Sequence, residues 1–146
     1  MRAVNHGLTG AAIAVVARQP ALAIPLAFAS HFLCDAIPHS GTGDLSVRDP
    51  KFLKILYLDM ALAVVTTLIV AAIWKQYWWS VISCAFLAAS PDLMWLYYRY
   101  LHTDKTHGVL ASFHKKIQWS ETFRGYYLEA VWFVVFFGGL VYFGIR

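Results

Sequence analysis

Four long apolar stretches and one shorter one, separated by polar segments, dominate the pattern of hydrophobic and polar positions along the chain. Each stretch predicts a helix, since a membrane span needs about 20 mostly apolar residues and lipid permits only helices or closed barrels. The predicted helices cover approximately residues 3–17, 21–37, 52–74, 77–98 and 126–145. The pattern therefore predicts an all-α fold: an integral membrane helical bundle in which residues 1–146 form a single transmembrane domain.

The longest polar segment, residues 99–125, lies between the fourth and fifth predicted helices. Within it, three apolar residues and one histidine recur at the spacing of a single helical face. These residues are Leu110, Phe113, His114 and Ile117. Lys115 and Lys116 fall off that face. We therefore predict a short interfacial helix over about residues 108–119, with its lysines directed toward anionic lipid headgroups.

The composition supports a membrane protein and excludes several other classes. Hydrophobic residues make up 60% of the chain and charged residues only 14%, against about 25% in ordinary soluble domains. This leaves too little charged surface for a soluble enzyme. The net charge is +4, but the basic residues do not line one amphipathic element, so we expect no nucleic-acid partner. Cys34 and Cys84 lie in apolar runs and form no CxxC motif, which argues against a disulfide framework or a thiolate metal site.

The distribution of basic residues predicts the orientation of the bundle. With five helices and a cytoplasmic N-terminus, only Arg18, Lys75 and Arg146 of the 12 lysines and arginines fall on the opposite side. The remaining basic residues then face the cytoplasm, as the positive-inside rule requires. They are Arg2, Arg48, Lys51, Lys54, Arg99, Lys105, Lys115, Lys116 and Arg124. We therefore expect the N-terminus to be cytoplasmic and the C-terminus to lie outside.

Ionisable residues occur within the predicted spans, where each costs about 2.5–3.5 kcal/mol at a helix centre. With this orientation, five of them lie near the cytoplasmic ends of four helices: His6, His31, Asp35, Asp59 and Asp92. Each also continues a stripe of small residues at helical spacing, which is typical of the packed interior of a membrane bundle. We therefore expect these side chains to converge. Glu129 shares its face with bulky aromatic residues and is left out of the predicted cluster.

The types of residue in this cluster favour a metal ion. His31 and Asp35 are four residues apart and emerge side by side from one helix, and His39 follows just beyond Pro38. Imidazole and carboxylate ligands without thiolate suit a divalent metal such as zinc, with manganese or iron as alternatives. The candidate ligands are His6, His31, Asp35, His39, Asp92 and His114. His102, Asp104 and His107 are expected to be solvated loop residues. Hydrogen bonds between helices are the alternative explanation of the cluster.

Two segments resemble a known family. The segment Ser30-His31-Phe32-Leu33-Cys34-Asp35 resembles the S-H-x3-D segment of the bacterial inner-membrane metal-dependent hydrolases, and Ser90-Pro91-Asp92 is similar to the start of their L-P-D-x-D-H segment. The string that ends in Pro38-His39 is also similar to the zinc-ligand motif of phospholipase C-type enzymes. The resemblance implies that His31, Asp35 and Asp92 bind metal in a bacterial or archaeal cytoplasmic membrane.

The function expected from these observations is metal-dependent hydrolysis of a lipid-like phosphoester at the cytoplasmic face. The metal would polarise the phosphoryl oxygen and lower the pKa of a bound water to about 7. Asp59 would accept the proton, and Arg99, Lys115 and Lys116 would hold the phosphate. Membrane lipid is the expected environment and source of substrate, because a soluble substrate would reach a site within the bilayer poorly.

Two other classes of function stay open. The same polar residues could belong to a metal or proton transport component, although the opposite half of each predicted span is apolar and offers no polar path. Alternatively, the chain is a non-catalytic membrane subunit whose polar cluster only fixes helix packing. Its aromatic last helix would then be a partner surface. The sequence also leaves a homo-oligomer open.

Overall fold

The computed structural model describes residues 1–41, 49–100, 109–122 and 125–146, without the side chains of Trp95, Tyr98, Arg99, Leu110 and Ala111. The described part is all-helical. Its seven α-helices are α1 (Ala3–Ala17), α2 (Pro20–Asp35), α3 (Pro50–Ile73), α4 (Trp78–Ala89), α5 (Met94–Tyr100), α6 (Val109–Ile117) and α7 (Gly125–Gly144). Within these ranges there is no strand, only an isolated bridge between His39 and Glu121.

The first two helices form a tight hairpin, as the sequence between them suggests. Arg18 closes α1 in the left-handed conformation, with φ of 56°, and its N–H donates to the carbonyl of Ala14. Pro20 then begins α2, a favourable position because the first N–H of a helix has no partner to lose. The structure ends α2 at Asp35, two residues before the predicted end. The residue before Pro38, Ile37, is disfavoured in a helical conformation.

Helix α1 is the centre of the fold, because it contacts α2, α3, α4 and α7. Most of its side chains are buried, from Ala3 to Val15. Its closest approach is to α4 at Gly10. A Cβ atom added there would lie 2.3 Å from the carbonyl oxygen of Cys84 and 2.8 Å from the Cβ of Ala88. Only glycine fits this contact.

The fourth predicted helix, residues 77–98, is interrupted in the structure. A 3₁₀ turn at Ser90–Leu93 separates α4 from α5. Pro91 explains the interruption, since proline has no N–H to donate within a continuous α-helix. As a result Asp92 lies on a tight turn, next to the ends of α1 and α2, and not on a straight helix.

Two helices have the length and apolar composition of membrane spans, namely α3 with 24 residues and α7 with 20. Their outer faces carry many exposed apolar side chains, among them Leu58, Val64, Val131 and Val134. Only 17% and 11% of their most apolar segments are buried. Helices α1 and α2 are apolar but shorter, at 15 and 16 residues.

The short helix α6 packs beside α2 on the polar-cluster end of the bundle. Phe113 and Phe32 make an edge-to-face contact there, with 5.4 Å between ring centroids. His114 is buried, whereas Lys115 and Lys116 are exposed. This arrangement agrees with the face predicted from the sequence, although α6 ends at Ile117, slightly before the predicted boundary of 119.

Candidate metal centre

A group of four buried or half-buried side chains at one end of the bundle has the arrangement of a metal site. His31 and Asp35 come from successive turns of α2, Asp92 from the turn after α4, and His114 from α6. One ligand atom of each residue lies within 4.8 Å of the corresponding atoms of the other three. The coarser sequence prediction, a His/Asp cluster able to hold a metal ion, is therefore confirmed.

The distances within the group fit a single small cation. Nε2 of His114 lies 2.8 Å from Oδ2 of Asp35 and 2.9 Å from Nε2 of His31, and that His31 atom lies 3.3 Å from the same carboxylate oxygen. Oδ1 of Asp92 lies 3.9 Å and 3.8 Å from the two histidine nitrogens. A tetrahedron with metal–ligand bonds of about 2.0–2.2 Å has edges of roughly 3.3–3.6 Å, so the observed separations bracket this size.

A backbone contact sets the tautomer of His31. Its Nδ1–H donates to the carbonyl oxygen of Ala88 at 2.8 Å. A carbonyl can only accept, so a neutral His31 carries its proton on Nδ1 and directs the lone pair of Nε2 into the cluster. Metal-binding histidines are commonly fixed in this way by a carbonyl or carboxylate partner. The contact also links the site to α4, because Ala88 is in the last turn of that helix.

The cluster is sealed on most sides. His31 and Asp35 are fully buried and His114 nearly so, whereas the side chain of Asp92 retains 14% of its exposure. Access to the cluster from outside is therefore on the Asp92 side. A buried carboxylate next to imidazoles needs a compensating positive charge, from a protonated histidine or from a cation.

His6 extends the cluster beyond these four residues. Its ring stacks on that of His31, with 4.0 Å between the centroids. Its Nε2 lies 3.1 Å from Oδ1 of Asp35 and 3.9 Å from Oδ2 of Asp92. The terminal ammonium group of Met1 contacts the same Asp35 oxygen. Among the described residues, Nδ1 of His6 is buried and has no hydrogen-bond partner.

Gln118 is a member of the site that the sequence analysis missed. Its Nε2 donates to Oδ2 of Asp35 at 3.3 Å. The signal for this role was present, because Gln118 is one helical turn beyond His114. It follows the last residue of α6 and faces the same carboxylate.

Asp59 lies at the same end of the bundle and accepts hydrogen bonds from the first turn of α1. One carboxylate oxygen accepts from the N–H of Ala3 at 2.7 Å, and the other accepts from the N–H of Val4 at 3.2 Å. Asp59 thus caps the first turn of α1, where a negative charge is favoured by the helix dipole. It is not one of the four grouped residues. The geometry favours a role in positioning α1 and its His6.

Glu129 has a comparable structural role that its aromatic neighbours in the sequence concealed. It is buried and outside the four-residue group. Its carboxylate accepts from the N–H of Arg2 at 3.1 Å and from the N–H and hydroxyl of Ser40 at 3.0 Å and 2.8 Å. The side-chain amide of Asn5 donates to it as well. These bonds tie α7 to the start of α1 and to the loop after α2.

His39 is not brought into the four-residue group. Its Nδ1–H donates to the carbonyl of Ile37 at 2.7 Å, and its Nε2 lies 3.9 Å from a carboxylate oxygen of Glu121. Its backbone carbonyl accepts from the N–H of Thr122 at 3.0 Å. Burial lowers the pKa of His39. The Nε2 atom of His39 therefore lies near Glu121, and the backbone pairing joins the two loops.

The remaining predicted site residues are two lysines on α6 and one arginine on α5. Lys115 and Lys116 are exposed on α6, off the buried face that carries His114. The side chain of Arg99 lies outside the described part of the structure, and so do residues 101–108, which include His102, Asp104 and His107.

Comparison with known proteins gives no assignment. No family model matches the sequence, and no curated protein or solved structure gives a significant match. The function is therefore argued from the geometry of the site.

Proposed function

We propose that this protein is an integral membrane, metal-dependent hydrolase that cleaves a lipid-like phosphoester at the cytoplasmic face. The observation that carries the proposal is the buried group of two imidazoles and two carboxylates, with one imidazole tautomer fixed by a backbone carbonyl. This donor set suits zinc, manganese or iron. The proposal agrees with the resemblance of residues 30–35 and 90–92 to the bacterial inner-membrane metal-dependent hydrolases.

The exposed apolar surface supports placement in a membrane. Helices α3 and α7 present contiguous apolar faces over lengths sufficient to cross the hydrocarbon core, which in water would leave a large unfavourable surface. The shorter helix α1 lies against both of them, and α2 packs on α1 and α4. The excess of basic residues on one side favours a cytoplasmic N-terminus.

An apolar cleft beside the metal centre supports a lipid-like substrate. The cleft has a volume of about 330 Å³ and lies between α1, α3 and α4. Its wall includes Ala3 and Gly7, which flank His6, and Ser90 and Leu93, which flank Asp92. A hydrocarbon chain in the cleft would therefore leave its polar end next to the carboxylate of Asp92, which is 14% exposed. Apolar pockets with a few polar groups at one end are typical ligand sites.

The reaction would consume one water per phosphoester. The water oxygen forms a bond to phosphorus, the bond between phosphorus and the lipid alcohol oxygen breaks, and a proton from the water ends on that oxygen. A bound metal ion supplies a Lewis acid and a lower pKa for water at this position. His31, Asp35, Asp92 and His114 would hold the ion, and Gln118 orients Asp35. The exposed Lys115 and Lys116 would attract the phosphate.

The test combines metal analysis with turnover. Protein purified without added metal or chelator would be analysed for bound metals, then assayed in detergent and in bilayers against phospholipids and polyprenyl phosphates. We expect release of phosphate or headgroup that a chelator abolishes and divalent metal restores. Asp35→Asn should remove both metal and turnover. Glu121→Gln, an exposed carboxylate outside the group, is the matched control and should change neither.

Two results would overturn the proposal. If the wild-type protein contains no metal and Asp35→Asn changes only its stability, the cluster serves only to pack the helices. A metal-loaded protein that hydrolyses none of these lipids, yet moves the metal or protons across sealed vesicles, would establish transport in place of hydrolysis.

A further inference from the structure

We infer that the cluster is built for two metal ions, which share the carboxylates of Asp35 and Asp92. His31 and His114 would bind one ion, and His6 would bind the other. This inference rests on the proposed metal centre, but it is independent of which substrate is hydrolysed.

The two oxygens of each carboxylate face different histidines. Oδ2 of Asp35 lies 2.8 Å and 3.3 Å from Nε2 of His114 and His31, whereas its Oδ1 lies 3.1 Å from Nε2 of His6. Asp92 repeats the pattern. Its Oδ1 lies 3.8 Å and 3.9 Å from the nitrogens of His114 and His31, and its Oδ2 lies 3.9 Å from that of His6. Each carboxylate thus directs one oxygen toward His31 and His114 and the other toward His6, as carboxylates that bridge two metal ions do.

The spacing of the two halves also fits a pair of ions. The rings of His6 and His31 stack with a centroid separation of 4.0 Å and an interplanar angle of 23°. Because each ring directs its Nε2 toward the shared carboxylates, ions bound to these nitrogens would be separated by about the stacking distance. In two-metal hydrolytic sites the ions are about 3.5–4 Å apart.

Electrostatics favour a cation at the His6 half as well. His6 is fully buried, and the only carboxylates in contact with it are those of Asp35 and Asp92 within the described part of the chain. Two divalent ions with two carboxylates leave a net positive charge, which a phosphate dianion would neutralise.

The proposed ligand sets leave room for a substrate. The first ion would have His31, His114 and one oxygen each from Asp35 and Asp92. The second would have only His6 and the other oxygen of each carboxylate. A three-ligand site keeps a position open, as catalytic sites do. The open half is the one next to Ala3 and Gly7, which line the apolar cleft, so a lipid phosphate would arrive at the second ion.

Metal stoichiometry tests the inference directly. Protein reconstituted with manganese would be analysed for bound ions per chain and by electron paramagnetic resonance, which distinguishes a magnetically coupled pair from an isolated ion. We expect two ions and a coupled spectrum for the wild type. His6→Gln should bind one ion with the six-line spectrum of isolated manganese. His6→Asp, which restores a ligand, should recover the second ion.

His39→Gln is the matched control, since His39 is also a buried histidine, four residues after Asp35, but lies outside the group. It should retain two coupled ions. One ion in the wild type, unchanged in His6→Gln, would overturn the two-ion inference and leave the hydrolase proposal standing. Two ions in a protein that hydrolyses no phosphoester would overturn the hydrolase and leave the inference intact. Equal loss of both ions in His6→Gln and His39→Gln, with unchanged helical content, would show that the halves are not separate and overturn the inference.

Discussion

Two glycines one turn apart on α1 provide a matched test of how helix packing supports the metal centre. A Cβ atom at Gly10 would lie 2.3 Å from the carbonyl oxygen of Cys84, whereas one at Gly7 would have no neighbour nearer than 3.7 Å. Both changes to alanine bring the same gain in helix propensity, about 0.5–1 kcal/mol. The difference between the variants therefore isolates the clash with α4.

The magnitude follows from the distances. To restore an ordinary contact of 3.4 Å from 2.3 Å, the backbone of α4 must move away from α1 by about 1.1 Å at Cys84. Overpacking of this kind costs about 1–3 kcal/mol. Because Ala88, one turn further along α4, accepts the hydrogen bond from His31, the displacement should also disturb the metal centre. We expect Gly10→Ala to be less stable than Gly7→Ala by about 1–3 kcal/mol and to bind metal more weakly.

Thermal unfolding in detergent, followed by circular dichroism with and without metal, would measure the difference. A titration of metal into each variant would give the affinity. If Gly10→Ala and Gly7→Ala have the same stability and the same affinity, the close contact between α1 and α4 does not exist as described, and its link to His31 fails with it.

Three further predictions concern other parts of the molecule. Asp59→Asn should retain bound metal but lose about 0.3–1 kcal/mol of stability, because its interaction with the first turn of α1 becomes weaker. A loss of turnover without any loss of stability would instead indicate that Asp59 is the proton acceptor. Gly7→Leu should fill the apolar cleft and raise KM for long-chain phosphoesters more than for a short-chain analogue, and equal effects on both would remove the cleft from the substrate site. In intact cells, Trp119→Cys should react only with membrane-permeant thiol reagents, whereas Ile145→Cys should also react with impermeant ones. The wild type is the control, because its own cysteines are buried. The reverse pattern would show that the N-terminus is not cytoplasmic.

Much of the fold could be predicted from the sequence because apolar runs and prolines act locally. The first helix has the same limits in the prediction and in the structure, and Pro20 and Pro38 bracket the second. The break at Pro91 is also a local effect, but the long apolar run around it concealed the signal. The inward position of Asp92, just beyond that break, depends on contacts with α1 and α2 that no local pattern contains.

The candidate site was predictable for residues that share a helix, and less so for residues whose positions depend on loops. His31 and Asp35 are fixed relative to each other by helical spacing alone, and the stripe of α6 placed His114 on the inward face. His39 shows the limit of this reasoning. Its position one residue beyond Pro38 suggested a ligand, but its Nε2 lies near Glu121 and outside the four-residue group. Its carbonyl also pairs with Thr122, more than 80 residues away, a contact that no local pattern contains.

The attachment of the small helix α6 through a few side chains, one of them a candidate metal ligand, has a consequence for how the protein would respond to metal supply. A helix of nine residues is unstable alone in water, and α6 is attached to the bundle through α2 by His114, Gln118 and the contact between Phe113 and Phe32. If an ion joins His114 to α2 and to the turn after α4, metal binding is coupled to the docking of α6. The docked state is then stabilised by about 2.7 kcal/mol when the free metal concentration is a hundred times its dissociation constant. Metal depletion would then release this helix, with its exposed Lys115 and Lys116, from the bundle, so that the surface of the protein would change with the supply of metal.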